Sequence, residues 1–224
     1  MIGLFLGDSV FSEIVLKKLK KLKKSYFIID FSRNNKFKNE AHSYRISIGL
    51  FGKIIELIKK KKSKKVLFAG KISRPKFSTL RLDFKGVYYI PRIIKAAKLG
   101  DAAIIKSIIK ILDNEGIKVI SSIFFNPELT AKIGNYTRLK PSIEEKKSIK
   151  KGIIYFNKLN DLDHIQAIII NNKKILTTEE MQGTKKMFSK LKKKTDGILI
   201  KFPKKKQDLR IDLPTIGLQT LKDC

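Results

Sequence analysis

The chain is poor in the residues that make covalent cross-links and soft metal sites. Its 224 residues contain one Cys, two His and no Trp. The single cysteine, Cys224, is the last residue, so no internal disulfide can form, which fits a reducing compartment. With no cysteine cluster, and with only His42 and His164, the composition argues against a structural zinc site.

Acidic residues and long apolar runs are also scarce. Twenty Asp and Glu stand against 50 Lys and Arg, which gives a formal net charge of +30. This excess favours an anionic partner, namely nucleic acid, an acidic membrane surface or a phosphorylated substrate. The alternative is that an AT-biased genome supplies solvated lysines. No run reaches the roughly 18–20 apolar residues of a spanning helix, and residues 1–7 are too short for a signal peptide. We therefore expect a soluble protein.

The first half of the chain alternates short apolar runs with helical patterns. Val15, Leu19 and Leu22 recur at helical spacing between apolar runs at 2–6 and 26–31, and Asp8 or Ser9 can cap that helix. A helix at 50–62, a strand ending at Gly70, a helix between two glycines at 100–116 and a strand at 117–122 follow. Strands that alternate with helices predict a parallel sheet. We expect residues 1–128 to form an α/β domain resembling a Rossmann sheet.

The second half has a different pattern. Residues 129–141 lie in a weakly periodic stretch with prolines and a glycine, which predicts a linker. Beyond it, a helix is predicted at 142–157, two strands joined at Asn171-Asn172, a basic helix at 183–194 and a strand near 197–204. Strand pairs beside helices predict a smaller α+β domain at 142–224.

Two loops of the first domain are candidate phosphate sites. Gly7-Asp8-Ser9 lies between a strand and a helix N-terminus, where free N–H groups can bind phosphate, although the G-x-G-x-x-G fingerprint is missing. Taken alone, the turn fits an ordinary tight βα loop better than a phosphate site. The second loop follows a buried strand that ends at the ligand-binding edge of an open sheet. Its candidate residues are Gly70, Lys71, Ser73 and Arg74, and the alternative is a basic surface loop.

Two stretches of the second domain are candidate metal or phosphate sites. Glu179 and Glu180 precede a predicted helix that starts at Gly183-Thr184, and carboxylates at such a point can hold Mg²⁺ or orient water. The alternative is a helix cap. Farther on, three charged residues alternate and would share one side of a strand, as a structural ion pair or as a site. They are Asp208, Arg210 and Asp212.

Four motifs in order give the chain a family resemblance. They are "FAGKISRPKF" (68–77), "LGDAAIIK" (99–106), "EEMQGTKKM" (179–187) and, the most specific, "RIDLPTIG" (210–217). Together they resemble the UDP-2,3-diacylglucosamine pyrophosphatases of lipid A biosynthesis of the LpxI type, which are unrelated to the calcineurin-like metallophosphoesterases. The resemblance runs from Ile2 to the C-terminus.

The resemblance implies a reaction and a site. Such enzymes have two domains that hold the glycolipid between them, and they need Mg²⁺. They hydrolyse UDP-2,3-diacylglucosamine to UMP and 2,3-diacylglucosamine 1-phosphate, with water directed at the sugar-side phosphorus. The essential aspartate of the R-x-D-L-P-T-I-G motif matches Asp212, which we expect to bind Mg²⁺ or to orient the water. The other expected metal ligands are Glu179, Glu180 and Asp208. The expected substrate-binding residues are Gly7, Gly70, Lys71, Ser73, Arg74, Gly183, Thr184, Arg210 and Thr215.

The chain departs from the family pattern in two ways. The family has a glycine-rich turn where this chain has Gly7-Asp8-Ser9, and its members normally continue well beyond the motif. We therefore expect the C-terminal domain to be incomplete. This leaves two alternatives, an inactive relative that binds sugar nucleotide or glycolipid, and a basic nucleic-acid-binding protein suggested by charge alone.

The substrate and the charge also predict a location and partners. We expect a cytoplasmic protein of a Gram-negative-type bacterium, peripherally associated with the anionic inner-membrane surface. No specific nucleic-acid partner is expected, and homo-oligomers are compatible with the sequence.

Overall fold

Two compact units make up the chain. The computed structural model describes residues 1–73, 75–159, 165–180, 182–192, 195–203 and 208–224. The first unit comprises Met1–Ala131 and Asp208–Ile211, and the second comprises Lys132–Gln207 and Asp212–Cys224. The chain therefore returns to the first unit for one short segment, which ends within the "RIDLPTIG" motif.

A five-stranded parallel sheet forms the centre of the first unit. Its strands lie in the order β3-β2-β1-β4-β5, and every adjacent pair is parallel. The strands are β1 (Ile2–Leu6), β2 (Tyr26–Asp30), β3 (Ser43–Tyr44), β4 (Lys65–Ala69) and β5 (Lys118–Ile120). The helices are α1 (Val10–Lys21), α2 (Phe51–Lys60), α3 (Phe84–Ala97) and α4 (Asp101–Asn114). The predicted α/β fold class is confirmed.

Helices cover both faces of this sheet because the strand side chains alternate. Leu4 and Leu6 face the side on which α1 packs. Phe5 lies on the opposite side, in the core built with residues from α2, α3 and α4. Burial on both faces explains why the strands read as short continuous apolar runs rather than as alternating ones.

The strand order reverses direction at β1. The chain passes from β1 outward to β2 and β3, and it then returns to place β4 against the other side of β1. In open α/β sheets, ligands bind outside the carboxyl ends of the strands at such a switch point. The loops after β1 and β4 therefore lie where a ligand site is expected.

The sequence analysis missed one helix, α3. Its buried residues recur at helical spacing, and the Asp83 carboxylate caps its first turn by accepting the Gly86 N–H at 2.8 Å. Pro91 lies inside the helix and masks the pattern, because proline removes an intrahelical hydrogen bond and normally ends a helix.

A three-stranded antiparallel sheet, in the order β7-β6-β8, forms the second unit. Its strands are β6 (Ala167–Asn171), β7 (Lys174–Thr178) and β8 (Ile198–Lys201), and its helices are α5 (Ile143–Lys158), α6 (Thr184–Phe188) and α7 (Leu218–Asp223). Helix α5 begins with a capping box formed by Ser142 and Glu145. Its Gly152 allows close packing, since an added Cβ would lie 2.4 Å from the Ile200 side chain.

Two local predictions for the second unit are corrected. The hairpin turns at Asn172-Lys173, one residue later than predicted, because these residues hold the positive φ values (45° and 63°) that a tight hairpin turn needs. Helix α6 ends at Phe188 although the basic pattern continues. Met187 is its one buried residue, and Leu191, three residues after the helix ends, packs against the same small core.

No helix in the described ranges has the length and apolarity needed to cross a membrane.

Candidate functional site

The loops after β1 and β4 are joined at the carboxyl edge of the parallel sheet. The Gly7 N–H donates to the Ala69 carbonyl at 2.9 Å. Asp8 and Lys71 then exchange two backbone hydrogen bonds, of 2.8 and 3.2 Å, in an isolated antiparallel bridge. The two loops predicted to bind phosphate are therefore one structural element.

Glycine is required on both sides of this bridge. A Cβ at Gly7 would lie 2.4 Å from the Lys71 carbonyl oxygen, closer than real Cβ contacts come. Gly70 has φ +88°, and a Cβ there would lie 2.1 Å from the Ser12 Oγ. A side chain has no room at either position, so each glycine has a local structural reason that the sequence alone did not supply.

Ser12 fastens the two strand ends together, and the sequence analysis did not identify it. Its hydroxyl is fully buried and lies 2.8 Å from the Gly7 carbonyl oxygen and 2.9 Å from that of Ala69. The single hydroxyl hydrogen of Ser12 is shared between these two carbonyl acceptors. Ser9 caps α1 by accepting the Ser12 N–H at 3.2 Å. The Ser-x-x-Ser spacing directly after the Gly7 turn is the signal that could have found it.

A third loop, after β2, meets the same edge. The Asp8 carboxylate accepts the Arg33 N–H at 3.2 Å, and the Arg33 Nε donates to the Ser73 Oγ at 2.9 Å. The fully buried Asp30 carboxylate orders this loop by accepting N–H groups from Ser32 (2.8 Å) and Phe37 (3.0 Å). Arg33 and Asp30 are further residues that the sequence analysis missed.

The structure thus brings together four of the predicted substrate-binding residues, Gly7, Gly70, Lys71 and Ser73, while Arg74 lies outside the described residues. Around them lie the exposed ammonium group of Lys71, the Arg33 guanidinium and the N-terminus of the 12-residue helix α1. Positive side chains and a helix N-terminus attract phosphate groups. This edge has the charges and donors to bind a phosphorylated ligand.

The segment Asp208–Ile211 belongs to the first unit and is held at the end of β5. The Ser122 N–H, two residues beyond β5, donates to the Arg210 carbonyl at 3.0 Å. Ile211 packs against the core shared by α2, α3 and α4. The start of the "RIDLPTIG" motif is therefore fixed at the carboxyl edge of the same sheet.

Residues 208–212 do not form the strand on which the three charges would share one side, because the chain turns there. The Ile211 N–H donates to the Asp208 carbonyl at 3.1 Å, and Arg210 Nε and Nη2 grip the Asp208 carboxylate at 3.0 and 2.7 Å. The Arg210 hydrogen bonds lower the pKa of Asp208 despite partial burial, and Asp208 in turn raises the pKa of Arg210. Both side chains are engaged with each other, which is the structural ion pair foreseen as an alternative.

Glu179 in the second unit is held by two protein donors. Its buried carboxylate accepts the Gln166 N–H at 3.0 Å and the Thr184 hydroxyl at 2.6 Å. Glu180 forms an ion pair with Lys190. Neither contact is a helix cap, and among the described residues no side chain caps α6 at its N-cap residue Gly183, so the capping alternative is not confirmed. The Glu179 carboxylate and the Thr184 hydroxyl are instead bonded to each other. Gly183 precedes α6 with φ +86°.

The loop that contains Asp212 is tied to β8. The Lys201 Nζ donates to the Thr215 carbonyl at 3.0 Å, and the Thr215 hydroxyl donates to the Leu213 carbonyl at 3.0 Å. Asp212 is half-buried. In neither unit do the described residues gather three or more His, Cys, Asp or Glu side chains around a possible metal position.

Both units match known families. Residues 1–129 match the family model described as LpxI N-terminal domain, and residues 132–224 match the LpxI C-terminal domain. A protein of Caulobacter vibrioides named UDP-2,3-diacylglucosamine pyrophosphatase LpxI is 30% identical over 186 residues, which cover 79% of this chain and 66% of that protein. The match thus spans just under two thirds of the relative's length. On these two family matches, which together cover nearly every residue, the chain belongs to the LpxI family.

Proposed function

We propose that the chain hydrolyses the pyrophosphate of UDP-2,3-diacylglucosamine in lipid A biosynthesis. The products are UMP and 2,3-diacylglucosamine 1-phosphate. The support is the family membership, together with the named activity of the Caulobacter vibrioides relative. The observation that carries the proposal is the anchoring of Asp208–Ile211, which includes the start of the "RIDLPTIG" motif, at the carboxyl end of β5.

The carboxyl edge of the sheet supplies charge neutralisation. Pyrophosphate hydrolysis needs positioned cations and an oriented water more than it needs a covalent nucleophile. Lys71 is part of the bridge with Asp8, Arg33 contacts Asp8 and Ser73, and Ser73 adds a hydroxyl. In the proposed function these groups bind the phosphates of the substrate.

Asp212 is the carboxylate proposed to act on the reacting phosphorus. Among the four residues predicted to bind metal, Asp212 is preferred because it matches the aspartate of the R-x-D-L-P-T-I-G motif that the family resemblance implies to be essential. Mg²⁺ commonly takes only one or two carboxylates and completes its shell with substrate phosphates and water. A single carboxylate such as that of Asp212 would therefore be enough to hold Mg²⁺ jointly with the substrate. When bound, the ion neutralises charge on the phosphate oxygens, and Asp212 either ligates it or orients the water.

Oxygen labelling tests the reaction directly. The purified chain is incubated with UDP-2,3-diacylglucosamine and Mg²⁺ in H₂¹⁸O, and both products are analysed by mass spectrometry. Attack at the sugar-side phosphorus puts the label into 2,3-diacylglucosamine 1-phosphate, whereas attack at the other phosphorus labels UMP. If the substrate binds and neither product forms, the chain is an inactive relative. If it binds DNA duplex at physiological salt and not the glycolipid, the nucleic-acid alternative holds.

A peripheral membrane location is part of the same proposal. The substrate is a glycolipid, and the net charge of +30 suits an anionic bilayer surface. We expect sedimentation with anionic vesicles to be strong at low salt and weak at high salt, because salt screens surface charges. Equal sedimentation with neutral vesicles would contradict the electrostatic basis of this location.

A further inference from the structure

Helix α3 buries one side and exposes apolar side chains on the other. Phe84, Val87 and Tyr88 are exposed to 93%, 61% and 70%, and their spacing places them in one line along the helix. The buried side consists of Gly86, Tyr89, Ile90 and Ile93. A helix that packs on one core needs only one apolar side, so the exposed line has no explanation inside the first unit.

The exposed line has the features of a contact surface. Single exposed apolar side chains are normal, but neighbouring large ones mark interaction sites. The Tyr88 ring packs edge-on against the ring of the buried Tyr89, with centroids 5.0 Å apart, and this contact restricts its position. Phenylalanine and tyrosine both suit the boundary between water and lipid, where an amphipathic helix lies in the membrane plane.

Basic residues continue the same exposed side, and α3 contains no acidic residue. Arg92 and Lys95 are exposed, and Lys98 follows directly after the helix. We call Phe84, Val87, Tyr88, Arg92 and Lys95 the α3 surface.

Two acidic groups near the α3 surface are held by protein donors, whereas the exposed Glu56 lines the same surface depression as Phe84. Asp83 accepts three backbone N–H groups, from Gly52, Lys53 and Gly86, at 2.8–3.0 Å. Glu115 is the second such group. Its carboxylate is held by Lys59 at 2.9 Å, by the Tyr89 hydroxyl at 2.8 Å and by Lys85.

We propose that the α3 surface docks on the anionic surface of a lipid bilayer, with its aromatic side chains in the headgroup layer. A bilayer with anionic lipids offers apolar depth and negative charge together, which matches this combination. A second copy of the chain is disfavoured, because a symmetric pairing would bring Arg92 and Lys95 against the same positive residues. The inference names a surface and does not rest on the hydrolase activity.

Tryptophan fluorescence tests the position of the helix. Since the chain has no tryptophan, Phe84→Trp introduces a single reporter. Leu22→Trp is the matched control, because Leu22 is exposed at the end of α1, on the opposite face of the sheet. With vesicles of phosphatidylglycerol and phosphatidylethanolamine, we expect a blue shift and quenching by brominated lipid for Phe84→Trp only. An unchanged Phe84→Trp spectrum, or equal shifts for both, would overturn the proposal.

Charge removal tests the electrostatic part with the full chain. Arg92→Gln/Lys95→Gln should weaken partitioning onto the same vesicles about tenfold or more at low salt. The control Lys17→Gln/Lys21→Gln removes the same charge from exposed positions of α1 and should weaken it far less. Equal weakening by both pairs would mean that only net charge matters. A concentration-dependent blue shift of Phe84→Trp without lipid would assign the surface to a second copy instead. Either result overturns the proposal.

Discussion

Substituting Gly70 by alanine should disrupt the backbone bridge between Asp8 and Lys71 at the carboxyl edge of the first sheet. Gly70 has φ +88°, and its added Cβ would lie 2.1 Å from the Ser12 Oγ. Alanine at a left-handed position costs about 1–2 kcal/mol. Displacing a buried hydroxyl from its acceptors adds about 1–3 kcal/mol. We therefore expect Gly70→Ala to lower the free energy of unfolding by about 2–5 kcal/mol.

Gly116 supplies the matched control for the strain. It has φ +75°, and a Cβ there would meet nothing within 4 Å. Gly116→Ala should thus show the backbone cost without the clash, about 1 kcal/mol. The difference between the two variants, measured by urea unfolding, isolates the contact with Ser12.

A double-mutant cycle completes this test. Ser12→Ala removes the hydroxyl that the new Cβ would strike, so Ser12→Ala/Gly70→Ala should cost less than the sum of the two single changes. Two results would refute the reasoning: additive costs in the cycle, or a Gly70→Ala cost no greater than that of Gly116→Ala. Either would mean that Ser12 does not fasten the strand ends as described.

Three further predictions concern charged groups. Burial acts to raise the pKa of Glu115, but hydrogen bonds from two lysines and a tyrosine outweigh it and lower the pKa to about 2. The ionised Glu115 therefore stabilises the folded protein above the unfolded pKa of about 4.5. This stabilisation is lost as the pH falls from about 4.5 towards 2. Between these pH values the free energy of unfolding of Glu115→Gln should fall by about 1–2 kcal/mol less than that of the unchanged chain. Arg210→Lys removes the two-point grip on Asp208 and should raise the pKa of Asp208, measurable by NMR titration. Glu179→Gln places an amide N–H₂ group against donors that now bond to the carboxylate, including the Thr184 hydroxyl. It should lower the free energy of unfolding, measured with urea, by about 1–3 kcal/mol. Activity per folded molecule should survive. Lost turnover with unchanged stability would return Glu179 to the metal site.

Local patterns predicted most of the regular structure of the first unit. Strands β1, β2 and β4 are buried on both faces, so their sequences are continuous apolar runs between glycines and polar residues, and they were placed nearly to the residue. Helix α3 was missed because Pro91 interrupts its pattern. β3 was missed because two residues are too few to show a period.

The site was predicted in part, because residue types show where polar groups occur but not what they bond. The loops at Gly7 and Gly70 were identified from their places after strands, and the structure joins them. Ser12 and Arg33 could not be found in this way, since their partners are distant in sequence. The grip of Arg210 on Asp208 replaces the expected strand, because a two-residue separation allows a turn as readily as an extended pairing.

Substitution of Asp212 by asparagine tests the proposed function most directly. The change keeps the size of the side chain and removes the charge that can ligate Mg²⁺ or accept a proton. Release of UMP from UDP-2,3-diacylglucosamine is measured with Mg²⁺ for the unchanged chain, for Asp212→Asn and for the control Asp223→Asn, each with a thermal melt. The account predicts turnover by the unchanged chain and the control, and its loss in Asp212→Asn without a lower melting temperature. A lowered melting temperature with intact turnover per folded molecule would contradict it and leave Asp212 a structural role.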